Sequence, residues 1–324
     1  MTDQPSPDKY HITVTAGGAA LRLDQAIPQY IPKMSREAAR KYITIGGVWV
    51  NGKRVQILSR KVSPGDEIVL HLSRAGCRKY YEINPRHILY KDASLLFYRK
   101  EPGIPTQPVP SDSYNNLYTA LLRYLKAEAV SSYLGLHHRL DMETSGVILF
   151  TLSKTVNKHI HDQFREHRVK KSYLALVSGT TAFNAETVTT YISRQNGKYV
   201  CTLNGPGKIA LTRFTTLQQH GWMSIVRAEP QTGRTHQLRL QLCFLGHPIL
   251  GDALYGAGPT QDITRTMLHA EALSLFHPDR KEELCIRAAP YEDMQRFMSK
   301  PAEHCCDLQK QTVPINVSEH DEKN

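Results

Sequence analysis

The first candidate for chemistry is a single carboxylate in a basic, histidine-rich stretch. Residues 137–146 read HHRLDMETSG, and Asp141 stands two positions after Arg139, just before an apolar run typical of a buried strand. In an extended chain these two side chains point the same way, so the guanidinium would keep the carboxylate ionised. An ionised carboxylate can act as a nucleophile or a base. Position alone also permits a structural cap or a simple ion pair.

A second candidate is the stretch QTGRTHQLRLQ, residues 231–241. Its leucine spacing and the glycine that follows favour a helix over 235–245, although the alternation of the leucines also permits a strand. A helix start can hold an anion, and Arg239, one turn in, can pair with a carboxylate. His236 by itself is more typical of a hydrogen-bonded structural histidine than of a catalyst.

Tyr173 is a third candidate, in the stretch KSYLALVSG at 171–179. The other members of this stretch are mostly apolar, which predicts a strand. A buried tyrosine usually packs in the core with its hydroxyl satisfied. Without further observations this residue therefore indicates packing rather than chemistry.

Cofactor and metal sites have weak support in the sequence. The chain has no Gly-x-Gly-x-x-Gly motif and no phosphate-binding loop. A metal hydrolase built on His137, His138 and His236 is a weak hypothesis, because these histidines lack the His-x-x-x-His spacing of a helical site. We therefore expect no cofactor and no metal.

The charge balance indicates a polyanionic partner. The 324 residues carry a formal net charge of +11, with a pI of about 9.3. Residues 1–80 hold 13 Lys+Arg against 6 Asp+Glu, which is +7 of that total. Nucleic acid is the first candidate for the partner, and a role in solubility alone is the plain alternative.

Cysteine usage and the termini indicate a compartment. None of the six cysteines forms a Cys-x-x-Cys pair, so neither a disulfide framework nor a zinc motif follows. The first residues, MTDQPSPDKY, are polar, and no run of 18 apolar residues occurs. We expect a reducing, cytoplasmic location and no membrane association.

Residues 20–73 predict two short helices and a small sheet. Ser35 is a good N-cap for a basic helix that ends at Gly46–Gly47. The stretch VWVNGKRV that follows predicts a hairpin with an Asn-Gly turn. Three basic residues on the helix can lie along a phosphate backbone or form a solvated face: Arg36, Arg40 and Lys41.

This stretch resembles the S-four-type RNA-binding domain over about 50 residues. The matching segments are LRLDQAI, SREAARKYITIGGVWVNGKRV and KVSPGDEIVL. The resemblance implies a small α/β module that contacts RNA, with the helix residues named above and Lys53 as its contacts.

Longer motifs carry a second resemblance, to the RluA-type pseudouridine synthases. The motifs are HRLDMETSG at 138–146, YLALVSG at 173–179, and GRTHQLRL with LGHPILGDALYG within 233–256. The segment MLHAEALSLFHP at 267–278 is similar to the closing segment of the family. One departure is KEPGIPTQP, where the family usually has Lys-Pro-x-Gly; in this alignment Glu101 is inserted.

The resemblance implies the fold and the domain plan. The fold class is α+β, with a mixed, largely antiparallel sheet and flanking helices in the catalytic domain. We expect five segments: a flexible N-terminus at 1–19, the RNA-binding domain at 20–75, a linker at 76–87, the catalytic domain at 88–298 and a disordered polar tail at 299–324.

The resemblance also implies an activity, the isomerisation of uridine to pseudouridine in structured RNA without a cofactor. Asp141 would act on the ribose as a nucleophile or a base, paired with Arg239. Tyr173 would lie against the target base and is a candidate to remove the carbon 5 proton. The uridine must flip out of its helix, and Arg139 would fill the space or hold a phosphate. Arg234 is a further expected RNA contact.

The substrate implied is large-subunit ribosomal RNA, with transfer RNA also open. The particular uridine and the oligomeric state stay open. The alternative function is an RNA-binding or ribosome-assembly factor with an inactive synthase-like domain. Three intact residues argue against that alternative, namely Asp141, Tyr173 and Arg239.

Overall fold

The computed structural model describes residues 8–15, 20–73, 76–130, 133–256 and 258–298. The chain forms two compact units. The first unit consists of residues 1–87 and 104–139, and the second unit consists of residues 88–103 and 140–324. The tail predicted to be disordered from 299 lies outside the described residues, and the predicted domain boundaries remain predictions. Within the described residues, none of the helices combines the length and the apolar character that crossing a membrane requires.

The first unit contains a four-stranded sheet in the order β1-β6-β3-β4, with antiparallel pairs throughout. The short strands β2 and β5 pair separately. A core of aliphatic side chains from helices α1 and α2 packs on this sheet. The elements of the unit are β1 (Lys9–Thr13), β2 (Leu21–Arg22), α1 (Leu23–Tyr30), α2 (Arg36–Ile45), β3 (Val48–Val50), β4 (Lys53–Arg54), β5 (Lys61–Val62), β6 (Glu67–His71), a 3₁₀ turn (Pro85–His87), α3 (Leu117–Ala127) and β9 (Gly135–Leu136).

Local signals account for helix α2 and the hairpin after it. The Ser35 side chain accepts a hydrogen bond from the Ala38 amide at 3.0 Å, as expected of an N-cap. Gly46, with φ of 84°, ends the helix in the left-handed conformation. A Cβ atom on Gly47 would lie 2.8 Å from the Ser111 carbonyl oxygen, so the close approach of that loop requires glycine. The predicted hairpin is confirmed, because β3 pairs with β4 across Asn51–Gly52.

Two segments differ from the expected flexible N-terminus and linker. Residues 9–13 form β1 and pair along their whole length with β6, because their N–H and C=O groups complete an otherwise open sheet edge. The backbone amides of Tyr80 and Tyr81 both donate to the Asn115 side-chain oxygen at 3.1 Å, which ties the expected linker to the first unit.

The second unit is built on one long sheet in the order β13-β12-β14-β15-β11-β16-β10-β8-β7, with β17 paired to β16. In the described part of the chain, the pairs along this order and the pair of β16 with β17 are antiparallel, except β10 with β16, so the predicted mixed, largely antiparallel fold class is confirmed. The elements are β7 (Ile88–Lys91), β8 (Leu95–Lys100), β10 (Ser145–Thr151), α4 (Lys154–Arg165), β11 (Lys170–Ser178), β12 (Glu186–Gln195), β13 (Lys198–Thr202), β14 (Lys208–Gln219), β15 (Met223–Pro230), α5 (Gln237–Phe244), β16 (Leu268–His277), β17 (Glu282–Arg287) and α6 (Glu292–Met298).

The short parallel contact between β10 and β16 fixes the last two residues of HRLDMETSG. Gly146 pairs with Ala270 and has φ of 114°, and a Cβ atom there would overlap the Ala270 backbone. Beside it, Ser145 Oγ and His269 Nδ1 are hydrogen-bonded at 2.9 Å in the buried interior. The Ser-Gly pair of the motif is therefore explained by strand packing rather than by chemistry.

Candidate active site

Asp141 lies on the turn that leads into β10. Its carbonyl accepts the Thr144 amide at 3.1 Å, which closes the turn. The neighbouring Leu140 is buried, whereas the Asp141 side chain is 35% exposed. The backbone is thus anchored while the carboxylate stays accessible.

Arg239 joins this carboxylate to a second one. It lies one turn inside α5, and its Nη1 donates to Asp141 Oδ2 at 3.1 Å. Its Nε and Nη2 donate to the two oxygens of Asp252 at 2.7 Å each. Burial acts to lower the pKa of Arg239, but the hydrogen bonds and charges of Asp252 and Asp141 outweigh it and raise that pKa. The guanidinium is therefore permanently charged and held in one orientation.

Asp252 is a site residue that the sequence analysis missed. Its side chain is 1% exposed, and Oδ1 also accepts the amides of Leu254 and Tyr255 at 2.9 and 3.1 Å. Burial acts to raise the pKa of Asp252, but the hydrogen bond and charge of Arg239 hold it below its ordinary value. The available signal was an acidic residue within the apolar, glycine-rich stretch LGHPILGDALYG.

Tyr173 lies on β11, packed against the main core of the second unit. Burial first, and the negative charge of Asp141 second, raise the pKa of its hydroxyl above the ordinary value. Asp141 is thus close enough to Tyr173 for its charge to act on the hydroxyl. The raised pKa keeps the hydroxyl protonated and opposes its use as a base.

His236 also lies at this site, although its type alone favoured a structural role. It precedes α5 with φ of 55°, so the helix begins at Gln237 rather than at the predicted 235. Its Nε2 lies 3.9 Å from Asp141 Oδ2, and its Nδ1 is hydrogen-bonded to the Tyr255 hydroxyl at 2.8 Å.

The KEPG stretch contacts the turn that carries Asp141. Lys100 is fully buried, and its Nζ donates to the carbonyls of Glu101 and Met142 at 2.9 Å each. The Gly103 amide donates to the same Met142 carbonyl, also at 2.9 Å. Burial lowers the pKa of Lys100 to about 7. The loop that departs from the family pattern thus holds the residue after Asp141.

The predicted RNA contacts are distributed over both units. In the first unit, Arg40, Lys53 and Arg139 are exposed, and so is Lys41, which pairs with Glu37 at 2.7 Å. In the second unit, Arg234 donates from Nε to the Ile209 carbonyl at 2.9 Å.

Arg36 differs from the other predicted contacts because its partner is a fully buried carboxylate. Its guanidinium donates to the fully buried carboxylate of Asp24 at 2.9 and 3.1 Å. Beside it, a groove of about 430 Å³ is lined by basic side chains over an apolar floor: Arg36, Arg40, Lys41, Lys79, Ile45 and Leu58.

Comparison with known proteins agrees with this fold. An RNA pseudouridylate synthase family matches residues 94–243, and the S4 domain family matches residues 21–68. The ribosomal large subunit pseudouridine synthase C of Escherichia coli K12 is 30% identical over 317 residues, which cover 91% of this chain and 97% of that protein. An uncharacterized RNA pseudouridine synthase of Aquifex aeolicus is 29% identical, covering 89% and 96% of the two chains.

A solved structure shows the same architecture. Human RNA pseudouridylate synthase domain containing 4 superposes with a TM-score of 0.54 at 25% identity, covering 65% of this chain and 90% of that one. The fold and the matched families define an RNA-modifying isomerase joined to an RNA-binding module. The chain belongs to the RluA-type family of RNA pseudouridine synthases, with an N-terminal S4 domain, as its motifs predicted.

Proposed function

We propose that this synthase converts uridine to pseudouridine in large-subunit ribosomal RNA, with Asp141 as the catalytic carboxylate. The observation that carries the proposal is the Asp141–Arg239–Asp252 arrangement, in which the accessible carboxylate is held by a guanidinium that a buried carboxylate orients. The choice of ribosomal RNA rests on the relatives named for that substrate.

The reaction breaks the bond from uracil N1 to ribose C1′ and forms a bond from C5 to C1′. The C5 proton is lost and N1 gains one, so the change is an isomerisation without net oxidation. Asp141 acts on the ribose side of the broken bond, as a nucleophile at C1′ or as a base on the sugar. Arg239 favours the ionised carboxylate that both roles need.

Tyr173 packs against the flipped uracil in this proposal. Its ring supplies an apolar and aromatic surface for the base, as aromatic side chains do at other flipped nucleotides. The raised pKa of the hydroxyl argues for a protonated group during the reaction rather than for a base at C5.

Basic side chains position the RNA through its phosphates. Arg40, Lys41 and Lys53 of the N-terminal module supply contacts that tolerate sequence. Arg139 fills the space left by the flipped nucleotide or holds its phosphate, and Arg234 supplies a further RNA contact. Arg36 supports this surface chiefly by neutralising Asp24.

Tritium release from RNA labelled at uracil C5 tests the proposal. We expect the wild type to release tritium from large-subunit ribosomal RNA and Asp141→Ala to release none, while the surface control Asp162→Ala behaves as the wild type. Equal release by wild type and Asp141→Ala would refute the role of Asp141. No release by the wild type would favour the RNA-binding factor.

Pseudouridine mapping in total RNA, with and without the gene, tests the substrate. We expect at least one pseudouridine of large-subunit ribosomal RNA to disappear with the gene and to return with the wild-type copy. Loss of a site in transfer RNA alone would overturn the substrate assignment but leave the enzyme assignment intact.

A further inference from the structure

His236 lies beside the proposed catalytic carboxylate, and the mechanism above does not use it. Its Nε2 is 3.9 Å from Asp141 Oδ2, and both side chains are partly exposed. The rings of Tyr199 and Tyr255 meet the imidazole edge-on, with centroids 5.6 and 5.5 Å away. The imidazole is therefore held in a defined place next to Asp141.

The backbone of His236 is in a conformation that few residues other than glycine adopt. With φ of 55° and ψ of 21°, it is left-handed. Its carbonyl nevertheless accepts the Leu240 amide at 2.9 Å and so starts α5, the helix that carries Arg239. Such conformations persist where surrounding structure enforces them, and they are concentrated at functional sites. The start of α5 thus places the side chains of His236 and Arg239 beside Asp141.

The surroundings of the two ring nitrogens, Tyr255 at Nδ1 and Asp141 at Nε2, favour one imidazole tautomer. Burial, the first cause, raises the pKa of Tyr255 to about 12, so its hydroxyl keeps its proton. That hydroxyl can donate to Nδ1 at 2.8 Å, which leaves the imidazole proton on Nε2. In the opposite tautomer, a lone pair on His236 Nε2 would face the Asp141 carboxylate, which is electrostatically unfavourable. The geometry therefore presents an N–H donor on the Asp141 side.

A separation of 3.9 Å between Nε2 and Oδ2 is too long for a direct hydrogen bond. A hydroxyl oxygen about 2.8 Å from each atom spans this gap, accepting from Nε2–H and donating to the carboxylate. On a ribose whose C1′ lies at Asp141, the adjacent hydroxyl is the 2′-hydroxyl.

We propose that His236 is a substrate-binding residue that recognises the ribose 2′-hydroxyl of the flipped uridine together with Asp141. The residue thereby selects RNA over DNA at the reacting nucleotide, because the 2′-hydroxyl is the group that distinguishes the two. The inference rests on the proposed role of Asp141, and Tyr255 supports it as a positioning residue.

The test is a double-mutant cycle between the protein and the RNA. Single-turnover rates are measured on a synthetic RNA with the mapped target uridine and on the same RNA with 2′-deoxyuridine there. We expect the wild type to react about tenfold more slowly with the 2′-deoxy RNA, because the hydrogen bonds of the 2′-hydroxyl to His236 and to Asp141 are both lost. We expect His236→Phe to show a smaller 2′-deoxy effect, of about threefold, because only the bond to Asp141 remains.

Matched variants separate the contact from general damage. His236→Gln keeps an N–H near the Nε2 position and should retain part of the 2′-deoxy effect, whereas His220→Gln, outside the site, should retain all of it. A 2′-deoxy effect in His236→Phe as large as in the wild type, or no effect in the wild type, would overturn the inference. Equal rates for wild type and Asp141→Ala on the all-ribose RNA would instead overturn the proposed function.

A variant too slow to measure still gives an answer through binding. In that case, the affinities of the two RNAs are compared for Asp141→Asn and for Asp141→Asn with His236→Phe. We expect a preference for the 2′-hydroxyl in the first protein and a weaker preference in the second. An equal preference in both proteins would exclude the contact.

Discussion

Arg239 bonds two carboxylates of very different exposure, and this difference divides their roles. Asp252 is buried and takes two guanidinium N–H groups, whereas Asp141 is 35% exposed and takes one. A buried guanidinium needs a buried counter-charge, because removing one partner leaves an uncompensated charge. Asp252 therefore meets the structural requirement of Arg239, and Asp141 is left accessible to substrate.

This division predicts the effect of Asp252→Asn. The change keeps the side-chain shape but removes the charge that orients Arg239. We expect kcat to fall by about 100-fold with KM little changed, because Asp141 loses its fixed partner. We expect the free energy of unfolding to fall by about 3 kcal/mol.

Steady-state tritium release at several RNA concentrations measures kcat and KM, and urea denaturation measures the free energy of unfolding. Asp162→Asn is the matched control, since Asp162 forms an ion pair with Arg165 on α4. Wild-type rate and stability in Asp252→Asn would contradict the role given to this residue.

At the scale of elements, the turn carrying Asp141 is attached on two sides. On one side the end of β8 contacts it through Lys100 and the Met142 carbonyl. On the other side Glu143 Oε2 accepts the amide and hydroxyl of Thr266, at 3.0 and 2.7 Å, just before β16. Arg265 links the Glu143 carbonyl to Asp293 of α6. Glu143, a variable position of the motif, thus attaches the turn that carries Asp141 to the segment before β16.

Lys100 predicts a pH dependence of stability. Its pKa falls from 10.5 in the unfolded chain to about 7 in the folded one. Between these values the unfolded chain binds more protons, so the contribution of Lys100 to stability rises with pH. Below the pKa of the folded state, Lys100 is protonated in both states, so its contribution to stability no longer changes with pH.

Urea denaturation of wild type and Lys100→Met at several pH values measures this contribution. We expect the stability difference between the two proteins to shift in favour of the wild type as pH rises from about 7 to about 10. The control is Lys91→Met, at the exposed last residue of β7. We expect its difference in unfolding free energy from the wild type to stay constant with pH. A constant difference for Lys100→Met would show that Lys100 is charged in the folded protein.

The excess positive charge of the molecule has two roles, in attracting a polyanion and in neutralising a buried carboxylate. Most of the net charge of +11 lies in residues 1–80, where exposed cations favour a polyanion. Arg36 also stabilises the N-terminal module, because Asp24 is fully buried between Arg36 and Arg22. Burial acts to raise the pKa of Asp24, but these two arginines hold it below its ordinary value.

Arg36→Ala and Arg40→Ala should therefore differ. We expect both to weaken RNA binding and to reduce the slope of log K against log salt by about one. Only Arg36→Ala should lower the free energy of unfolding, by about 2 kcal/mol, because Asp24 loses a partner. Binding at several salt concentrations and urea denaturation measure these effects; equal stability of the two variants would contradict this distinction.

Elements with local signals could be predicted from the sequence. A serine N-cap and a glycine pair bound α2, an Asn-Gly turn sets the hairpin, and apolar runs mark β10 and β11. The motifs also identified the family, and through it they predicted Asp141, Tyr173 and Arg239 as site residues. These signals survive in sequence because caps, turns and alternation depend on a few adjacent residues.

The set of side chains around Asp141 could not be predicted from the sequence, because it depends on the tertiary structure. His236 alone predicted a structural role, and Asp252 carried no local sign of a partner. Both are at the site because β10, α5 and the segment after α5 converge there, although Arg239 is 98 residues from Asp141 along the chain. Sheet pairing over such separations depends on the packing of the whole core, which no short stretch of sequence encodes.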